Sequence, residues 1–195
     1  MSSIIFDFDI GSPYSYMAAK LIPKTLGDHA ENIRWRPVLL GAVFKATQNL
    51  PPASNPPKGR YLLRELEELA ELYEIPFRFP SVFPPNTLLA QRVLCATQSQ
   101  AESKGLALAF FEAYWVHNKD ISQESVVGDL CEDNSAEGAK LLDLAREPEN
   151  KARLRAHTDA AIEAGVFGLP AFHYGDRFWW GHDRLVLLKH YIENI

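Results

Sequence analysis

The chain has only two cysteines in 195 residues, Cys95 and Cys131, and they lie in separate helix-like segments with no C-x-x-C spacing. A dithiol redox motif is therefore excluded, and buried thiols in a reducing compartment are the expected state. Long apolar runs are missing too, since no stretch approaches the roughly 20 residues of a membrane span. No Lys/Arg run is present and the formal net charge is -5, which argues against a nucleic-acid or anionic-membrane partner. The chain has no G-x-S-x-G elbow, no Walker-type loop and no G-x-G-x-x-G after its first strand-like segment. Its histidines show no paired metal-ligand spacing of the H-E-x-x-H kind. MSSIIFDFDI has no basic region ahead of its apolar letters and carries two Asp, unlike a signal peptide; YIENI is not a peroxisomal S-K-L. A cytoplasmic location is expected, with the mitochondrial matrix and the peroxisome left open.

What is present is an ordinary globular composition, 47% hydrophobic and 23% charged, enough to bury a sizeable core. Residues 4–10, IIFDFDI, read as a mostly buried strand, and residues 13–26 as a helix that Pro23 bends or shortens. IRWRPVLL at 33–40 alternates like a second strand, so the chain opens as a parallel βαβ unit. QNLPPASNPPKG at 48–59 reads as a long ordered loop. An amphipathic helix follows at 60–75, then a Pro-rich crossing at 78–86. Helical patterns then run over 87–104, 106–117, 123–131, 136–146 and 148–164. Two short strands at 170–174 and 177–180, joined by Gly175-Asp176, form a hairpin, and a helix at 183–193 closes the chain. The order predicts an α/β, thioredoxin-like fold interrupted by a large all-α insertion. Residues 1–42 and 165–195 form the discontinuous thioredoxin-like part, and residues 43–164 the insertion.

At the first strand-to-helix turn stands Ser12-Pro13-Tyr14-Ser15, where a redox protein of this topology has C-P-x-C. Ser at the cap and Pro at the first helical position are good capping in their own right. A helix N-terminus also favours an anion, and a serine hydroxyl there can donate to a thiolate that a ligand brings in. Gly168-Leu169-Pro170 precedes the late hairpin, at the place of the cis-proline of thioredoxin-like folds. The backbone of the residue before such a proline is free to pair with an extended peptide.

FDFDIGSPYSYMA, RPVLLGAVFKATQNLPPASNPPKGRY, FPPNTLLAQR and GVFGLPAFHYGDRFWWGHDRL together resemble the 2-hydroxychromene-2-carboxylate isomerase family, which is related to the kappa-class glutathione transferases and to DsbA-like proteins. The resemblance spans essentially the whole chain. It implies a homodimer, bound glutathione and a small aromatic or electrophilic substrate. By it, Ser12 holds the glutathione sulfur, and the backbone of Leu169 before Pro170 pairs with the cysteinyl part. Asn49 and Lys58, in the Pro-rich loop, reach the glycine end; His182 and Asp183, opening the last helix, take the γ-glutamyl end. The implied reaction is addition of the thiolate, bond rotation and elimination. A transferase that releases a glutathione conjugate and a non-catalytic thioredoxin-like binding module are the alternatives. Gln48, where the family commonly has Gly, and His182, where Gln or Ser is usual, are departures. Tyr14, Trp179 and Trp180 are candidates to line an acceptor pocket.

Overall fold

A computed structural model describes residues 3–135 and 137–195. Met1, Ser2 and Ala136, the last being the expected first residue of a helix, lie outside the described residues. The chain runs β1 (Ile4–Phe8), α1 (Pro13–Leu26), β2 (Ile33–Pro37), then seven helices: α2 (Leu40–Thr47), α3 (Pro56–Tyr73), α4 (Leu88–Ala96), α5 (Gln100–Trp115), α6 (Glu124–Asn134), α7 (Gly138–Arg146) and α8 (Pro148–Glu163). β3 (Ala171–Tyr174), β4 (Arg177–Trp180) and α9 (Leu185–Glu193) complete it.

The four strands form one sheet in the order β2-β1-β3-β4. β1 pairs parallel with β2, Phe6 opposite Trp35, and antiparallel with β3, Phe6 opposite Phe172. This register stacks Phe6 on Phe172 at 5.0 Å and sets Trp35 edge-on to Phe6 at 4.9 Å, all three fully or nearly buried. Successive residues of a strand face opposite sides, so Asp7 looks the other way. There Arg36 grips its carboxylate with Nε at 2.5 Å and Nη2 at 2.7 Å, and His173 Nε2 stands 2.7 Å from the same group. A fully buried carboxylate is tolerated because a bidentate guanidinium partners it.

Several sequence expectations shift. The first two strands are shorter than their apolar runs: β1 stops at Phe8 ahead of the turn into α1, and β2 stops at Pro37 ahead of α2, a helix the pattern did not announce. The Pro-rich segment is not a loop throughout: Pro52–Ser54 form a 3-10 turn, and α3 begins at Pro56. Asn55 caps that helix by accepting from Lys58 N at 3.3 Å, and prolines at its first two positions need no donor. The pattern read as one helix over 87–104 breaks before Ser99, whose hydroxyl accepts from Glu102 N at 3.1 Å and starts α5. α1 continues through Pro23 to Leu26, and the Leu169–Pro170 peptide bond is cis, as expected. A second cis bond, Phe83–Pro84, lies in the Pro-rich crossing. Both cysteines are buried, and burial pushes each thiol up to about 12.

The helices between β2 and β3 support the end of β1. Gln91 of α4, fully buried, donates Nε2 to Phe8 O and to Val38 O, each at 2.9 Å. Trp115 of α5 donates its indole N–H to Ile10 O at 2.8 Å. Gln91→Met keeps the volume but takes the side-chain donor from Val38 O, while Phe8 O keeps Val38 N, and urea melts should show a loss of about 1–3 kcal/mol. A change below a few tenths of a kcal/mol would remove Gln91 from this role.

Candidate active site

Ser12 sits between the end of β1 and the start of α1 and is 2% exposed. Its oxygen accepts from Ser15 N at 3.2 Å, the ordinary cap bond. Its hydroxyl donates to Leu169 O, also at 3.2 Å, the carbonyl immediately before the cis-proline. Ser12, Leu169 and Pro170, separated by more than 150 positions in the chain, are thus brought into one contact. Ser12 N donates to Asp9 O and Tyr16 N to Ser12 O. Tyr14 N–H is left as a first-turn amide with no partner among the described residues, available to an anion at the helix end. Leu169 N–H likewise donates to nothing among the described residues.

The turn is braced by Asp9. Its Oδ1 accepts from Gly11 N and its Oδ2 from Leu40 N, both at 2.9 Å, which ties the approach to α1 to the first residue of α2. Burial raises its pKa, and the bonds from Leu40, Gly11 and Thr87 oppose that rise. Sequence reading did not single out Asp9, because an acid inside an apolar run carries no sign of which amides it will meet.

Tyr14 links the turn to two distant elements. Its ring stacks on His182 at 5.4 Å with 6° between planes, and its hydroxyl donates to Glu65 of α3. Burial raises the Tyr14 pKa, and the Glu65 hydrogen bond raises it further. Burial lowers the His182 pKa, against the opposing pull of Asp183 and Glu65. A cleft of about 370 Å³ opens beside this pair, lined by Tyr14, Pro57, Lys58, Tyr61, Leu62 and Glu65. Lys58 is therefore in the first turn of a helix rather than in a loop. Glu65 was missed in the sequence, where it reads as one more charge on the solvated face of LRELEELAEL.

Asn49 lies in a neighbouring cleft of about 380 Å³ with Phe44, Lys45 and Gln48. Its Nδ2 donates to Phe167 O at 3.3 Å, which holds the loop after α2 against the segment before the cis-proline. Gln48 ends α2 with φ 56° and ψ 23°, a left-handed conformation. Gly adopts this without strain, so this departure costs energy rather than geometry. Asp183 lies in a 3-10 turn, His182–Arg184, ahead of α9. Its Oδ2 pairs with Arg184, while its Oδ1 comes so close to Gly181 that a Cβ there would lie 2.5 Å away. Gly181 has φ 106°, so the backbone favours glycine, while the Asp183 carboxylate could swing aside from a Cβ. Of the acceptor candidates, Trp179 packs on Tyr191 at 5.2 Å, away from the cis-proline. Trp180 packs on Phe167 at 4.8 Å and over Gly168, where a Cβ would meet its Nε1 at 2.7 Å. Among the described residues no cluster of His, Cys, Asp or Glu could hold a metal ion, and no helix is long and apolar enough to cross a membrane.

A serine at a helix start, bonded across a cis-proline in a sheet with an inserted helical layer, defines a thioredoxin-fold protein without its dithiol. The comparisons agree with that class: the model of the DSBA-like thioredoxin domain matches residues 3–193. A 2-hydroxychromene-2-carboxylate isomerase of Pseudomonas sp. (strain C18) is 32% identical over 186 residues, 94% of this chain and 87% of that one. The human glutathione S-transferase kappa 1 is 31% identical, over 94% of this chain and 87% of its own. A solved structure of a 2-hydroxychromene-2-carboxylate isomerase superposes with a TM-score of 0.89 at 28% identity, covering 97% of this chain and 94% of that one. The chain belongs to the DSBA-like thioredoxin family and, within it, to the group formed by the 2-hydroxychromene-2-carboxylate isomerases and the kappa-class glutathione transferases.

The left-handed cap yields a test. Gln48→Gly should stabilise the protein by about 0.5–1 kcal/mol, because the native φ is one that only Gly adopts freely. Equal or lower midpoints in denaturant would show that the Gln48 side chain contributes more than its backbone costs.

Proposed function

We propose that the protein is a glutathione-dependent isomerase acting on substrates of the 2-hydroxychromene-2-carboxylate type. The observation that carries this reading is the Ser12 hydroxyl at the head of α1, 3.2 Å from the carbonyl before cis-Pro170. When bound, glutathione supplies a thiolate that adds reversibly to a conjugated acceptor, lets the former double bond rotate and leaves again.

The residues present fit that tripeptide. The hydroxyl of Ser12 donates to the sulfur, and the partnerless Tyr14 N–H with the N-terminus of α1 favours its negative charge. Leu169, with an N–H that lacks a partner among the described residues, pairs with the cysteinyl unit. Asn49 and Lys58 take the glycine end. Asp183 and Glu65 suit the γ-glutamyl ammonium, beside the ring of His182. Lys58 and Glu65 stand seven residues apart on one helix, about 10 Å at 1.5 Å per residue. A cation and a carboxylate thus flank the cleft, as a zwitterionic ligand requires. Trp180 and Phe167, half-exposed beside the cis-proline, offer an apolar surface to a planar acceptor. The homodimer and the cytoplasmic location implied by the resemblance belong to the same proposal.

Calorimetric titration with glutathione is the first test, and an absence of binding would overturn the reading. Ser12→Ala should raise the pKa of the bound thiol, followed by thiolate absorbance in the ultraviolet, and lower turnover at neutral pH about tenfold or more, as each 1.36 kcal/mol is a factor of ten. It also loses a cap worth about 1 kcal/mol, so activity is compared per folded molecule. Turnover of a hydroxychromene with glutathione unchanged at the end supports the isomerase; net consumption of glutathione makes the protein a transferase. Asp183→Asn should weaken glutathione binding about threefold to tenfold, a modest figure because the carboxylate is half-exposed and already pairs with Arg184. An unchanged dissociation constant would take Asp183 out of the site.

A further inference from the structure

The hydrogen bonds around Ser12 do more than cap α1. A serine hydroxyl has one proton and two acceptor lone pairs. One lone pair accepts from Ser15 N, and the single O–H donates to Leu169 O. A thiolate placed at Ser12 needs that same proton. It can be given only if Leu169 O, in a residue 4% exposed, loses its donor or finds another. A buried carbonyl left without a donor is costly. An extended peptide lying along Leu169 brings a replacement, the N–H of its own cysteine residue.

We propose that Ser12 works as a hydrogen-bond exchange: the cysteinyl N–H of the incoming thiol takes over Leu169 O, and the Ser12 hydroxyl, released, turns its proton to the sulfur. The thiol's own proton leaves to solvent, and Ser12 keeps its proton throughout, so no covalent bond of the protein changes. The cap bond from Ser15 N stays in place during the turn, because it uses the oxygen and not the proton. The exchange makes the site select its thiol. A thiol that cannot present an N–H to Leu169 O obtains a Ser12 donor only at the expense of a buried unpaired carbonyl. It is therefore bound without being activated. Resting structure and loaded structure would differ by one hydroxyl rotation, with α1 and the cis-proline loop unmoved. This inference rests on the assignment of glutathione to the site.

Two ligand variants test the exchange on the folded wild-type protein, with Ser12→Ala as the reference. In the depsipeptide analogue of glutathione an ester oxygen replaces the cysteinyl N–H. The pKa of its bound thiol, read by ultraviolet absorbance, should be the same in wild type and in Ser12→Ala, while that of glutathione differs by about one unit or more. If the analogue's thiol is lowered by Ser12 as far as glutathione's, the exchange is wrong. S-methylglutathione keeps the N–H but has no thiolate to receive the released hydroxyl. It should bind Ser12→Ala several-fold more tightly than wild type, because no hydroxyl has to be displaced from Leu169 O. A serine that merely supports the helix start predicts equal or weaker binding, and that result would also overturn the exchange. A protein that binds neither glutathione nor S-methylglutathione overturns the ligand assignment itself, an outcome distinct from either of these.

Discussion

Where β1 ends and the chain turns into α1, backbone groups leave the sheet ladder while still buried, and they must be paired elsewhere. That requirement shapes the rest of the molecule. Gln91 and Trp115, from two helices of the inserted layer, reach Phe8 O, Val38 O and Ile10 O. Asp9 supplies the remaining acceptors, one for Gly11 N and one for Leu40 N. The inserted helices are therefore part of what holds Ser12 at its position. The arrangement carries a cost in the burial of a carboxylate, visible in the raised Asp9 pKa, and three accepted hydrogen bonds offset it.

Much of this was legible because certain letters carry backbone meaning on their own. Ser-Pro opens a helix wherever it stands, and Gly-Asp between two alternating segments makes a tight turn; α1 and the β3–β4 hairpin follow directly. The cis bond at Pro170 was readable only from its place in the topology. What escaped has equally physical reasons. α2 lacks a side-chain cap and follows an alternating strand without a break, so the sequence pattern runs Leu40 into that strand and assigns residues 41–47 to no element. The start of α3 was hidden by Asn55-Pro56-Pro57, where prolines that look like breakers occupy the first two helical positions. Ser99-x-x-Glu102 was a usable signal for the start of α5: Ser99 Oγ accepts from Glu102 N, and the Glu102 carboxylate reaches back to Gln98 N, one residue before the cap.

The candidate site divides in the same way. Ser12, Leu169 and Pro170 owe their meeting to sheet register, because β1 and β3 are neighbours with Asp7 opposite Ala171. Glu65 owes its place to a contact with Tyr14 across 51 positions, which no local pattern encodes. The two departures from the related proteins turn out unlike each other. Gln48 holds a left-handed conformation and takes on strain. His182 instead contributes a ring that lies flat on Tyr14 and supports the side chain that bonds Glu65. A smaller polar residue at 182 would leave that ring without its support.

The question posed by a serine at a helix start is usually whether it caps or reacts. In the proposed site the two roles would use different parts of one group. The cap needs a lone pair of the oxygen, taken by Ser15 N, and the proposed thiolate contact needs the O–H, which donates to Leu169 O. A threonine would offer the same two functions but must fit a branched Cβ into a residue 2% exposed. An aspartate could cap equally well, yet it has no proton to give at neutral pH and would repel a thiolate. Cysteine would supply a sulfur of its own and make the site a partner in disulfide exchange. Of these, serine is the one that caps the helix, donates to a thiolate, stays redox-inert and fits the buried position without a branched Cβ, which is the combination that a borrowed thiol requires.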